Sequence, residues 1–119
     1  MVRFIIMSVM LALPLSAQPK STAELVLECG EYAQLTRTGL PVGVDQYLIA
    51  SCFAYMEGFL DQVSLNDQEA PFCLPEELGL GDLALIVTGI ENADRRPASA
   101  ARDLSATLLA RFPCPKANP

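Results

Sequence analysis

Cys52-Phe53-Ala54-Tyr55-Met56-Glu57-Gly58-Phe59-Leu60-Asp61 is the stretch that decides the fold class. Cys52, Tyr55 and Phe59 recur at i, i+3 and i+7, and Met56, Leu60 and Val63 fill the stripe beside them. That spacing is one broad apolar face of an α-helix, which has to be laid against another element. The run extends from 44 to about 65, the longest uninterrupted helical pattern in the chain, and is expected to be the central helix. Gly58 weakens it by about 1 kcal/mol relative to alanine, which predicts that another helix or loop crosses closely there.

On the N-terminal side, Ser21 and Glu24 form a Ser-x-x-Glu capping box that opens an earlier helix. Leu25, Cys29 and Tyr32 follow at i, i+4 and i+7 as its core stripe, with Glu24, Glu28 and Glu31 as an acidic stripe alongside. Thr38-Gly39-Leu40-Pro41 then breaks the pattern and turns the chain back into the helix of 44–65.

On the C-terminal side, 66–81 is the least regular segment. Asp67, Glu69, Glu76, Glu77 and, just past its end, Asp82 place five acids and no base within a short distance, around the apolar plug Pro71-Phe72-Cys73-Leu74-Pro75. Pro75 followed by two acids suits the first turn of a short helix, because proline fits there and acids favour the positive dipole end. Leu83, Val87 and Ile90 predict a third helix from Gly81 or Asp82 to about Asn92, weakened by Thr88 and Gly89. Pro97 is expected to begin a fourth, with Ala101, Leu104, Leu108 and Phe112 near one face and Pro113 as its stop.

The four cysteines are Cys29, Cys52, Cys73 and Cys114. Sequence alone allows three pairings. In an antiparallel hairpin, residues equally far from the turn face each other. The midpoint of Cys29 and Cys52 falls between Leu40 and Pro41, and that of Cys73 and Cys114 between Ala93 and Asp94. Both midpoints lie in predicted turns, so Cys29 is expected to bond Cys52 and Cys73 to bond Cys114. A zinc site is the competing reading of four cysteines, but the spacings are long, there is no Cys-x-x-Cys, and the chain contains no histidine. The fold class expected is therefore all-α: a small four-helix bundle of two disulfide-closed helical hairpins.

Disulfides need an oxidising compartment, and the N-terminus supplies a route to one. Met1-Val2-Arg3 is a short basic start, 4–15 an apolar run, and Leu15-Ser16-Ala17 a small-residue end suited to cleavage before Gln18. This has the form of a secretory signal peptide, and its apolar run is short of the ~20 residues that a membrane-spanning helix needs. The domains expected are a signal peptide over 1–17 and one helical domain over 18–119. Removing 17 of 119 residues leaves 102, enough for one domain. Loss of Arg3 leaves 7 basic against 14 acidic residues, a net charge of −7. Nucleic acid is not an expected partner, because phosphate binding needs a basic footprint and the arginines cluster only at Arg95-Arg96. A basic protein partner would be attracted, and no membrane contact is expected after cleavage.

Without histidine, Ser-His and Cys-His nucleophile systems cannot be built. Glu57 and Asp61 form an i, i+4 carboxylate pair, read as a solvated helix residue and a hydrogen-bond acceptor in preference to an acid and base. Tyr55 reads as a core aromatic whose hydroxyl finds a local partner, with partner recognition as the alternative. No Gly-rich loop opens a helix after a strand, so no nucleotide site is expected. The reading is of a protein that binds, with no catalytic residue, metal or cofactor.

Cys52-x-x-Tyr55-x-x-Gly58-x-x-Asp61, Phe72-Cys73-Leu74-Pro75 and Arg111-Phe112-Pro113-Cys114 together resemble, in order and spacing, the Rap1a/Tai family of periplasmic type VI secretion immunity proteins. The likeness covers nearly all of the expected mature chain, and departs from the family pattern at Ala54, where glycine is usual. It implies a protein that binds and neutralises a secreted antibacterial effector, for some members a peptidoglycan amidase, in the producer's own periplasm. It also implies a homodimer. On this reading Tyr55, Gly58 and Asp61 maintain the fold, and the acids Asp67, Glu69, Glu76 and Glu77, or the Glu24, Glu28, Glu31 stripe, meet the cognate effector. The alternative is a periplasmic acid-stress chaperone or other exported helical binding protein, in which charge change on acidification releases hydrophobic surface.

Overall fold

Ser21 stands in extended conformation (φ −78°, ψ 157°) and its hydroxyl accepts from the Glu24 amide at 3.2 Å. This half of the expected capping box opens α1, Thr22–Thr38. The structure, a computed structural model, describes residues 18–65, 71–93 and 99–116. The expected signal peptide, Asp67, Glu69, Arg95, Arg96 and Pro97 lie outside the described residues. Gly39, at φ 66°, ends α1 by donating its amide to the Leu35 carbonyl, a left-handed cap that glycine adopts without penalty.

Helix α2, Gln46–Leu65, begins two residues later than its periodicity predicts. Gly43 sits at φ 80°, outside helical space, and the Asp45 carboxylate takes the cap by accepting from the Tyr47 and Leu48 amides. Pro75 starts no helix. Its carbonyl accepts from the Leu78 amide in a single turn, and α3, Leu80–Thr88, begins only after Gly79. The end of α3 falls short of Asn92 because Gly89 and Ile90 bond three residues back, tightening the last turn, and Asn92 takes φ 57°. The last helix, α4, is Ala100–Arg111. It follows an extended Ser99 cap whose hydroxyl accepts from the Arg102 amide, and the expected start at Pro97 lies outside the described residues.

Among the described residues, four helices and two disulfides, Cys29–Cys52 and Cys73–Cys114, make the structure all-α, with the pairings that the midpoints predict. Their Cα atoms are 5.1 and 4.8 Å apart. Each closed loop removes unfolded-chain entropy worth ~3 to 4 kcal/mol in the chain-entropy account.

The centre of the bundle is α1. It packs against α2, α3 and α4, whereas α2 packs mainly against α1 and α3, which corrects the expectation that α2 is central. The core runs from Leu25 and Cys29 of α1 to Cys52 and Met56 of α2, then to Leu83, Ala84, Ile86 and Val87 of α3 and Ala100, Leu104 and Leu108 of α4. Phe72, the apolar plug, is buried and stacks with Phe59 at 6.3 Å between ring centroids.

The two ends of α4 are fastened separately. At its start, Ala100 donates to the Lys20 carbonyl at 2.9 Å, and the buried Thr22 hydroxyl bonds the Asp103 carboxylate at 2.6 Å. At its finish, Cys73 donates to the Phe112 carbonyl at 2.8 Å beside the Cys73–Cys114 bridge.

Candidate partner-binding surface

Tyr55 is half-buried where α2 meets the start of α4, and it lines one groove together with Ala101. Burial raises its pKa above the ordinary 10.0, and the Ala101 amide pulls the other way. The Lys20 ammonium lies over the ring, 5.3 Å from its centroid. That same ammonium bonds both Glu28 oxygens at 2.7 and 2.6 Å and the Ser51 hydroxyl at 3.2 Å. Lys20 thus joins the residues before α1 to α1 and α2, a role that its sequence position does not signal, since eight residues from Glu28 is not a helical contact spacing.

Gly58 does not occupy a crossing point. It is exposed, and a β-carbon there would meet nothing within 4 Å, which corrects the expectation of a close approach. The close approach is at Gly81 instead, where a β-carbon would run into the Tyr32 hydroxyl and stand 3.0 Å from the ring carbon that bears it. Gly81 was legible only as a possible helix start, because nothing in the local pattern reports the ring arriving from α1. Glu57 and Asp61 are exposed on α2 as solvated positions.

The acidic groups divide. Glu28 is paired with Lys20, and Glu31 accepts from the Asp45 amide at 3.0 Å, so the α1 stripe is largely spent on holding the fold. Glu76 and Glu77 are exposed in the turn that ends at Leu78, and Asp82 accepts from the Gly79 amide at 2.9 Å. Beside them, Leu78, Asp82, Leu85, Ile86, Arg111 and Phe112 line an open groove of about 350 Å³ between α3 and the end of α4. A second groove, about 400 Å³, is lined by Ala54, Tyr55, Gly58, Phe59, Gln62 and Ala101. Among the described residues, no helix is long and apolar enough to cross a membrane.

Residues 21–114 match the profile of the Rap1a immunity proteins. The chain belongs to that family. The Rap1a match begins at the Ser21 cap and ends at Cys114, so it takes in all four helices and both disulfides. Immunity against effectors of type VI secretion is thereby this chain's family function, and the Rap1a proteins act as inhibitors of effectors and not as enzymes. No curated protein and no solved structure matches the chain significantly.

Proposed function

We propose that the chain is exported, loses residues 1–17, and in the periplasm binds and blocks a cell-wall-degrading type VI effector, of the peptidoglycan amidase kind, that would otherwise harm the producer. The observation that carries this reading is the Rap1a match over 21–114, spanning the whole disulfide-closed framework. Two disulfides in so small a domain fit an oxidising compartment. The mature charge of −7 suits steered association with a basic partner. Binding is stoichiometric and needs no metal, cofactor or reacting group, and the active form is a homodimer.

The test is protection. Cells that receive the producing strain's amidase effector in their periplasm survive when this chain carries its first 17 residues, and lyse when those residues are deleted and the protein stays in the cytosol. Lysis in both cases removes the immunity reading. Solution light scattering that finds a monomer at micromolar concentration removes the homodimer.

A further inference from the structure

The groove between α3 and the end of α4 exists for a reason of topology. Both helices pack on α1 and touch each other only slightly, while Cys73–Cys114 and the Cys73 to Phe112 hydrogen bond tie the segment that leads into α3 to the chain just past α4. The wedge left between them has an apolar floor, with Ile86 buried and Phe112 and Leu78 half-buried, and Leu85 stands 41 % exposed at its lip. One side carries carboxylates: Asp82 in the lining, and Glu76 and Glu77 in the turn that leads directly into Leu78. Arg111 is the cation of the lining. The frame is stiff, because the Pro75 turn is closed by a hydrogen bond, Phe72 is buried and Phe72 bridges Pro113. Binding there loses little to ordering.

We propose that this groove is the effector-docking site, and that it takes an apolar side chain carried on a basic segment of the effector. The proposal rests on the immunity reading above. An apolar floor rewards one buried side chain, and a carboxylate rim rewards lysine or arginine next to it in the partner's chain while repelling an acidic segment. The rim sets the approach and the floor sets the residence time.

The experiment measures binding of the full mature protein to each purified type VI effector of the producing strain, at low and high salt. Leu85→Lys, which sets a charge at the lip where the effector's apolar side chain enters, lowers the affinity for the bound effector by ~30-fold or more, the size of a hot-spot loss. Glu76→Lys with Glu77→Lys slows association by about 10-fold at low salt and much less at high salt. Arg111→Gln speeds association. Ala54→Lys, which puts the same side chain into the other groove, leaves binding unchanged, and all variants are exposed positions whose melting temperatures report folding.

An effector that binds wild type and Leu85→Lys equally overturns the groove while leaving immunity standing. A loss with Ala54→Lys in place of Leu85→Lys moves docking to α2 and likewise overturns it. A loss at Leu85→Lys without any effect of the charge reversals overturns the basic segment. If no effector binds the wild-type protein, the immunity reading falls and this proposal falls with it.

Discussion

At Gly58 and Gly81 the same residue type has opposite consequences. Gly58 faces open space inside a long helix, so Gly58→Ala is expected to stabilise the protein by roughly 0.5 to 1 kcal/mol, the ordinary helix preference for alanine. Gly81→Ala must displace the Tyr32 ring, which packs on Phe53 with centroids 5.0 Å apart, and is expected to cost about 1 to 3 kcal/mol as an overpacked site does. Urea midpoints of the two variants would show shifts of opposite sign; equal signs would mean that the Tyr32 ring gives way freely.

Tyr55 supplies a pH dependence. Its folded-state pKa is raised above 10.0, so the fold favours the neutral phenol. The unfolded chain binds fewer protons than the folded one in that window, and stability is complete below pH 10 and declines as pH rises through the folded value. Tyr55→Phe should remove that part of the alkaline loss, as read from melting temperatures across the window. An unchanged alkaline slope in the variant would assign the loss to another group. Lys20, which covers the Tyr55 ring and pairs with Glu28, was not singled out by sequence, because its partners come from two helices that meet only on folding.

At the scale of elements, the two disulfides differ in access although both fit their predicted pairs. Cys29 and Cys52 are fully buried, whereas Cys73 is exposed and Cys114 half-buried. A thiol must reach a sulfur to exchange with it, so mild reductant followed by alkylation is expected to label Cys73 and Cys114 well before Cys29 and Cys52. Mass spectrometry of the peptides reads the order, and simultaneous labelling would mean that opening one bridge unfolds the whole bundle. The helix starts were only partly legible. Ser21 announces itself, with a hydroxyl one residue before the helix, whereas Asp45 and Ser99 cap helices whose apolar pattern does not mark where they begin. Periodicity locates the apolar face of a helix well and its first residue poorly, since side-chain caps compete with the pattern at its edge.

For the whole molecule, α1 is the element that every other helix packs on, and this sets an order of local stability. Hydrogen exchange is expected to be slowest at α1 amides around Leu25 and Cys29, and faster in the last turns of α2, where Ser64 and Leu65 are exposed. Slowest exchange in α2 would restore it as the centre. The acidic surface also takes its meaning at this scale. Glu28 and Glu31 are used inside the fold, whereas Glu76, Glu77 and Asp82 lie beside a groove that forms only because α3 and α4 both pack on α1 and barely meet each other.

The sequence by itself determined the four helices of the described residues and the partner of each cysteine, because periodicity, turn residues and spacing are local or linear properties, and its three motifs carried the resemblance that the Rap1a match bears out. Tertiary structure alone decided which helix lies inside, that Gly81 and not Gly58 is the crowded glycine, and where an acid-rimmed groove opens. An apolar stripe states that a helix must be covered. What covers it depends on residues far along the chain, and no window of sequence contains both.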